Sequence, residues 1–336
     1  DGDADVFDIG PVFIGDRIRL ESSTTGGLNA AAALFDAGHD LICVNDDRTS
    51  RPGGNAPYVT IVSRRSTEQA LLAVTSSPRQ KTTGNYTINL TVERGAELVE
   101  DRPQVVLLDF HGATGLRVGG RGPLDLPPFD AASIDPSYAG QTQAMIDALV
   151  TYVRQDFTGL NVFVFASGDP GIPAGPVTTV YFGLYDPNLL GLADYVDVQN
   201  TNPSQSAIVY VETFSLFMPL RPSVERMAQT LSNVASHEAG HLLGLNHTLD
   251  PAGIMDISAT AYELTQDQTF RRSPLEPSVF SVGWQDGFDM LLENVGGDRQ
   301  GRRLSAALVG PADQVVPLPP DDPLMTVSLM KCNHLR

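Results

Sequence analysis

The chain is poor in the features that usually narrow a protein's context. Only two of its 336 residues are cysteine, Cys43 and Cys332, too few for a disulfide framework. They stand near opposite ends of the chain, where they would either pair and tie the tail to the first domain or remain thiols. Cys43, inside the apolar run Leu41-Ile42-Cys43-Val44, reads as structural. No run of about twenty apolar residues occurs, so no membrane-spanning segment is expected. Basic residues are scarce. The 22 Lys and Arg against 40 Asp and Glu give a formal net charge of -18, and nucleic acid would be repelled over most of such a surface. The same acidity suits a protein that is soluble outside the cell, and it offers carboxylates to calcium. The chain begins at Asp1 without Met or a basic and apolar leader, as expected of a processed N-terminus in a secreted or extracellular protein.

What the chain has is enough apolar material, 42% of its residues, for more than one core at this length. It also has one stretch dense in chemistry, His237-Glu238-Ala239-Gly240-His241-Leu242-Leu243-Gly244-Leu245-Asn246-His247. On a helix of 3.6 residues per turn, His237 and His241 lie one turn apart on one face, which is chelating geometry. Glu238 follows the first ligand and can handle the proton of a metal-bound water. Gly244 can take the positive φ that ends a helix, so that the chain turns and returns His247 as a third nitrogen. Three neutral imidazoles leave a fourth position open, the arrangement of a catalytic rather than a structural zinc site. Ala239, Leu242, Leu243 and Leu245 supply the packing of a buried helix, against the reading of the histidines as a polar surface stripe.

This run resembles the zinc signature of the metzincin metallopeptidases, H-E-x-x-H-x-x-G-x-x-H. Gly253-Ile254-Met255-Asp256, soon after His247, is similar to the methionine turn that the clan carries beneath its metal. Within the clan, Thr248 after the last ligand is closest to the serine of matrix metalloproteinases. Ile257 stands where astacin-like and serralysin-like enzymes place a tyrosine, so that residue's role has no counterpart here. The resemblance implies a zinc endopeptidase with ligands His237, His241 and His247, Glu238 as general base and acid, and a protein or peptide as substrate. A thermolysin-like enzyme shares H-E-x-x-H but takes a later glutamate as third ligand, and Gly244 with His247 argues against it. A zinc-bearing adhesion or binding protein without turnover remains the non-enzyme alternative, with the presence of Glu238 speaking for the enzyme.

Residues 1–100 show short alternating runs, among them Arg17–Glu21, Asp40–Val44, Tyr58–Val62 and Tyr86–Val92, separated by turn signals such as Asp36-Ala37-Gly38 and Thr83-Gly84-Asn85. This spacing predicts an antiparallel β-sandwich. Gly2-Asp3-Ala4-Asp5-Val6-Phe7, Leu34-Phe35-Asp36 with Asn45-Asp46-Asp47, and Gly84-Asn85-Tyr86 resemble the pre-peptidase C-terminal domain, a module that accompanies secreted bacterial peptidases. Its aspartates Asp1, Asp3, Asp5, Asp8, Asp46 and Asp47 are either calcium ligands or solvated surface groups. A second period opens with Val105–Phe110, a continuous apolar run expected as a central, doubly covered strand. The loop 112–136 is expected to be irregular, Gln141–Phe157 helical, and Asn161–Phe165 another buried strand. Further strands are expected at Thr178–Gly183 and Ala207–Glu212, before a metal helix capped by Ser223. Val279–Asn294 reads as a C-terminal helix with Trp284 as a packing residue. Asp194, Asp197, Asn200 and Asn202 form either a calcium loop or a hydrogen-bonded polar loop. The fold class expected is multidomain: an N-terminal all-β sandwich over 1–100, an α+β metzincin-like catalytic domain over 103–294, and a C-terminal extension over 295–336. The linker is placed at Glu93–Pro103.

Overall fold

A computed structural model describes residues 4–46, 56–78, 80–97 and 100–298. Cys332, the aspartates Asp1, Asp3 and Asp47, and positions 299–336 of the expected extension lie outside the described residues.

The first seven strands are β1 (Asp5–Val12), β2 (Arg17–Thr25), β3 (Ala30–Phe35), β4 (Leu41–Asn45), β5 (Tyr58–Val62), β6 (Thr67–Ser76) and β7 (Asn85–Glu93). They form two antiparallel sheets, ordered β1-β6-β3-β4 and β5-β2-β7. In β2 the alternation of Arg17 and Arg19 with Ile18 and Leu20 turns the apolar pair inward, because successive side chains leave a strand on opposite faces. Ile18, Leu20, Val59 and Ile61 from one sheet meet Ala32, Leu34, Cys43, Leu72 and Val74 from the other in a shared core. Strand β3 departs from simple alternation, since all six residues of Ala30–Phe35 are buried. Its Ala32 and Leu34 enter the core between the two sheets, while Ala31, Ala33 and Phe35 enter the large core of the rest of the molecule. A strand covered on both faces loses the polar half of its pattern, which explains the run of alanines.

The mixed region contains β8 (Gln104–Asp109), β9 (Ala113–Val118), β10 (Arg121–Leu126), α1 (Thr142–Asp156), β11 (Val162–Ala166), β12 (Thr178–Phe182), β13 (Gly191–Ala193) and β14 (Ser206–Val209). It continues with α2 (Val224–Leu242), α3 (Ala261–Leu264), β15 (Arg272–Pro274), β16 (Trp284–Asp286) and α4 (Gly287–Val295). A five-stranded sheet runs β11-β8-β12-β14-β13, parallel except for the outermost β13, which is antiparallel to β14. Helix α1 buries Met145, Leu149, Val150 and Val153, the face expected from their spacing, and packs with α2. The chain is thus a sheet-rich N-terminal region followed by a mixed α and β region. No described helix is long and apolar enough to cross a membrane.

Three local expectations change. Residues 112–136, read as irregular from their glycines and prolines, contain the β9–β10 ribbon, with Gly119 and Gly120 at positive φ in its turn. Strand β11 is not buried on both sides but lies at the sheet edge, where Phe163 is 53% exposed. The helix expected from Val279 starts only at Gly287, where the Asp286 side chain accepts the N–H of Asp289 as an N-cap, and Trp284 sits on strand β16 before it.

Candidate metal and catalytic site

Helix α2 opens at Ser223, whose hydroxyl accepts the N–H of Arg226, and every residue from Met227 to Leu242 is buried. A helix that runs through the core must satisfy its polar side chains internally. Asn233 Nδ2 donates to the carbonyls of Leu264 and Gln266, and Ser236 Oγ donates to Asp156 at 2.6 Å. Burial raises the Asp156 carboxyl well above the ordinary aspartate range. The helix ends where the N–H groups of Gly244 and Leu245 return to the carbonyls of His241 and Gly240. Gly244 has φ +101°, and a Cβ there would stand 2.7 Å from Asn294 Nδ2 and 2.9 Å from the Asp197 carbonyl oxygen, so only glycine makes the turn that brings His247 back.

The three histidines converge. His241 Nε2 lies 3.0 Å from His237 Nε2 and 3.1 Å from His247 Nε2, and all three side chains are buried. His237 Nδ1 donates to the Ile254 carbonyl and His241 Nδ1 to the Leu245 carbonyl, each at 2.7 Å. A carbonyl oxygen only accepts, so in the neutral rings the hydrogen sits on Nδ1 and Nε2 presents a bare lone pair. Lone pairs focused on one point repel unless a cation lies between them. Zinc–nitrogen bonds of about 2.0–2.1 Å in a tetrahedron would set the nitrogens about 3.3 Å apart, close to what is seen, so the donor set fits zinc. Burial lowers the His237 pKa to about 4 despite the Ile254 carbonyl, which keeps this ring neutral and ready as a ligand. Among the described residues this triad is the group of three or more His, Cys, Asp or Glu that could hold a metal ion.

Glu238 is fully buried and packs against the edge strand β13: a Cβ on Gly191 would fall 2.4 Å from Glu238 Oε1. Met255 lies under α2, where a Cβ on Gly240 would meet its Sδ at 2.6 Å. The Met255 carbonyl accepts the N–H of Thr248, the residue after the third histidine. Asp256 holds this turn, its buried carboxylate accepting the N–H groups of Asp250, Ser258 and Ala259 and the Ser258 hydroxyl. Ile257 is an aliphatic residue packed against the core.

The other candidates lie outside this constellation. His39 and His111 are exposed. In the Asp194–Asn202 segment the carboxylates are taken up by the chain itself. Asp194 accepts the N–H groups of Gly119 and Ser206, and Asp197 accepts the Thr201 hydroxyl and the Asn202 N–H, as in a hydrogen-bonded polar loop. Asp8 accepts from Gly10 and Gln69, and Asp5 from the Tyr86 hydroxyl. Cys43 is buried, which pushes its thiol up to about 12 and leaves it unreactive. Gly191 and Gln285 carry no mark of this place in the sequence, and Asp256 stands in the methionine-turn run without a sign of its role as the turn's acceptor. Gln285 is fully buried, and its amide both accepts from the Asn246 N–H and donates to the Asn246 carbonyl, each at 2.8 Å, directly before the third histidine. A polar Gln in the otherwise aromatic and acidic stretch Trp284-Gln285-Asp286 carries no such message by itself.

Residues 152–273 match the family model described as matrixin, a span that runs from the end of α1 through the triad and the methionine turn to β15. Among solved structures, the crystal structure of archaemetzincin from Methanopyrus kandleri is matched at 15% identity over 50% of this chain and 87% of that chain, with a TM-score of 0.29, a likeness too loose to bear on function. No curated protein matches the chain.

Proposed function

From the premise that residues 152–273 are a matrixin-type zinc metallopeptidase segment, we propose that the chain is an endopeptidase acting outside the cell, with Glu238 as its proton carrier. The observation that carries this reading is the convergence of three imidazole Nε2 atoms beside a buried glutamate on the same helix. Zinc, when bound, supplies a Lewis acid that acidifies water and polarises a carbonyl group. The Glu238 carboxylate takes the proton of the attacking water, holds it, and releases it to the leaving amine. His237 and His241, locked in one tautomer by the Ile254 and Leu245 carbonyls, keep Nε2 aimed at the ion. Strand β13 is the outermost strand of its sheet and lies against Glu238, so an extended peptide adding to it at Gly191 would bring its main chain beside the carboxylate. The Ile257 side chain is aliphatic and offers no donor to the carbonyl oxygen. The acidic composition and the resemblance of the N-terminal region to a module of secreted peptidases support release from the cell.

The test is Glu238→Gln, which keeps the side chain's shape but removes its basicity. General acid–base catalysis contributes about 10²–10⁴-fold, and a group used in both directions is expected near the upper end, with zinc retained because Glu238 is no ligand. Zinc content and kcat on a peptide library, measured on both proteins, check it. Near-wild-type activity in the zinc-loaded variant would remove Glu238 from the reaction, and an inactive wild type would favour a zinc-bearing binding protein.

A further inference from the structure

The third histidine is the one ligand off the helix, and the segment that carries it is held from outside by a small frame. Gln285 clamps both backbone groups of Asn246, the Glu276 N–H donates to the His247 carbonyl at 3.1 Å, and the Leu249 N–H donates to the Pro274 carbonyl at 2.9 Å. These three contacts all come from the ribbon β15–β16 and the loop between its strands, in which Ser273 pairs with Gln285 and Pro274 with Trp284. The ribbon has a further neighbour. The turn between β3 and β4 lies along β16: Asp40 bridges Trp284 in parallel register, and the Trp284 N–H donates to the His39 carbonyl at 3.0 Å.

That junction is built on both sides. Arg272 of β15 pairs through Nε with Asp40 at 2.7 Å, donates through Nη2 to the Gly38 carbonyl at 2.9 Å, and lays its guanidinium 4.5 Å from the centre of the Trp284 ring. The turn itself is stiffened by Asp36, whose Oδ1 accepts the N–H groups of Gly38 and Asp40. Beneath it, Phe35 stacks at an angle on Phe280, with ring centres 5.8 Å apart, and fills the space where Gly283, at φ +101°, has no Cβ. The Leu275 N–H then closes the loop on the Gly283 carbonyl.

We propose that the β3–β4 turn of the N-terminal region is a working part of the metal site: it braces the β15–β16 ribbon, and through Gln285 and Glu276 the ribbon holds His247 in ligating position. Gln285, Arg272 and Asp40 are positioning residues that touch neither metal nor substrate. The N-terminal region thereby acquires a role beyond an accessory module, because the site's third ligand depends on a strand pairing that it supplies. The inference rests on the three-histidine metal reading and deepens it.

The experiment uses the full chain and zinc alone, measuring zinc affinity by competition with a chromophoric chelator and the melting temperature of the metal-free protein alongside. Gln285→Met keeps the side-chain volume and removes the amide; Arg272→Ala cuts the brace at a partly exposed position without entering the core. Groups that orient metal ligands are typically worth about 10–100-fold in affinity, and Gln285→Met is expected in that range. Arg272→Ala is expected to weaken zinc by a smaller factor, and the double variant by no more than Gln285→Met alone, since both act along one route. Arg154→Ala, which breaks the Arg154–Asp169 pair at the β11 edge, is expected to leave zinc affinity unchanged. Wild-type zinc affinity in Arg272→Ala, whatever its melting temperature, would overturn the proposal, as would wild-type affinity in Gln285→Met or full additivity in the double variant. Should Gln285→Met fail to fold, Arg272→Ala decides alone. A wild type that binds no zinc would overturn the metal reading itself and this proposal with it.

Discussion

Gly191 and Glu238 are in contact across the boundary between the edge strand and the metal helix. Adding a methyl group at 191 would place it 2.4 Å from Glu238 Oε1 and 2.8 Å from Cδ, so the carboxylate must move. A displacement of about 1 Å in a catalytic group can cost about 100-fold in rate. Gly191→Ala is therefore expected to lower kcat by about 10- to 100-fold while zinc content stays at one per chain, checked by metal analysis beside steady-state kinetics. His237 makes a pH-dependent contribution whose sign follows from its burial. Its folded pKa of about 4 lies below the unfolded value of about 6.5, so the unfolded chain binds the proton first as pH falls. The stabilising contribution is full above about 6.5 and is lost between there and 4, amounting to about 3 kcal/mol in the metal-free chain. Denaturant unfolding of metal-free wild type and metal-free His237→Asn at pH 7 and pH 4.5 isolates it, and the same pH dependence in both proteins would contradict it.

At the level of elements, α2 and the methionine turn are fitted to each other at Gly240. In an isolated helix Gly→Ala gains about 1 kcal/mol. Here the new Cβ would meet Met255 Sδ at 2.6 Å and Phe270 Cε1 at 3.3 Å, and overpacking of this kind costs about 1–3 kcal/mol. Steric conflict outweighs propensity, so Gly240→Ala is expected to lower the melting temperature of the zinc-loaded chain, and a rise would show that Met255 can swing aside freely. Helix α1 needs no such fitting, since its buried face follows directly from the apolar spacing of Met145, Leu149, Val150 and Val153.

For the whole molecule, strand partnerships divide near residues 93–103, since no sheet mixes β1–β7 with later strands. We propose this as the domain boundary, with 1–100 as one unit and 103–294 as the other. The division of the sheets is a division neither in hydrogen bonding nor in packing: the Trp284 N–H donates to the His39 carbonyl, and Ala31, Ala33, Phe35, Leu41 and Ala73 share a core with Phe280, Leu291 and helix α2. Arg65 joins the two regions in the same place, pairing with Asp36 at 2.8 Å and with Glu293 at 2.9 Å, all three side chains at most 20% exposed. Arg65→Met would leave the Asp36 and Glu293 carboxylates unpaired with little water and is expected to cost about 3–5 kcal/mol. Both regions are expected to melt in one transition before and after the change, read from the agreement of calorimetric and van't Hoff enthalpies. Two separated transitions would show that the shared core is too weak to couple them.

The cluster of three histidines was legible because its geometry is local: the pitch of a helix places His237 over His241, and a glycine three residues further on lets the chain return His247. The start of α2 at Ser223 and the inward face of β2 could be read for the same reason, each being set by neighbours within a few residues. What the chain alone left open lies where partners are far apart along it. The β9–β10 ribbon looked irregular because its glycines and prolines signal turns without saying what they join. Trp284 looked helical by its spacing, yet pairing with Pro274 and Asp40 drew it into a strand. Gly191, Gln285 and the turn after Phe35 owe their place at the site to contacts made only when the sheet edge, the ribbon and the N-terminal region come together. The amino-acid sequence determined which residues can bind a metal and move a proton; tertiary structure decided what holds them there, because a supporting contact is a property of two surfaces and only one of them is written at any one point in the chain.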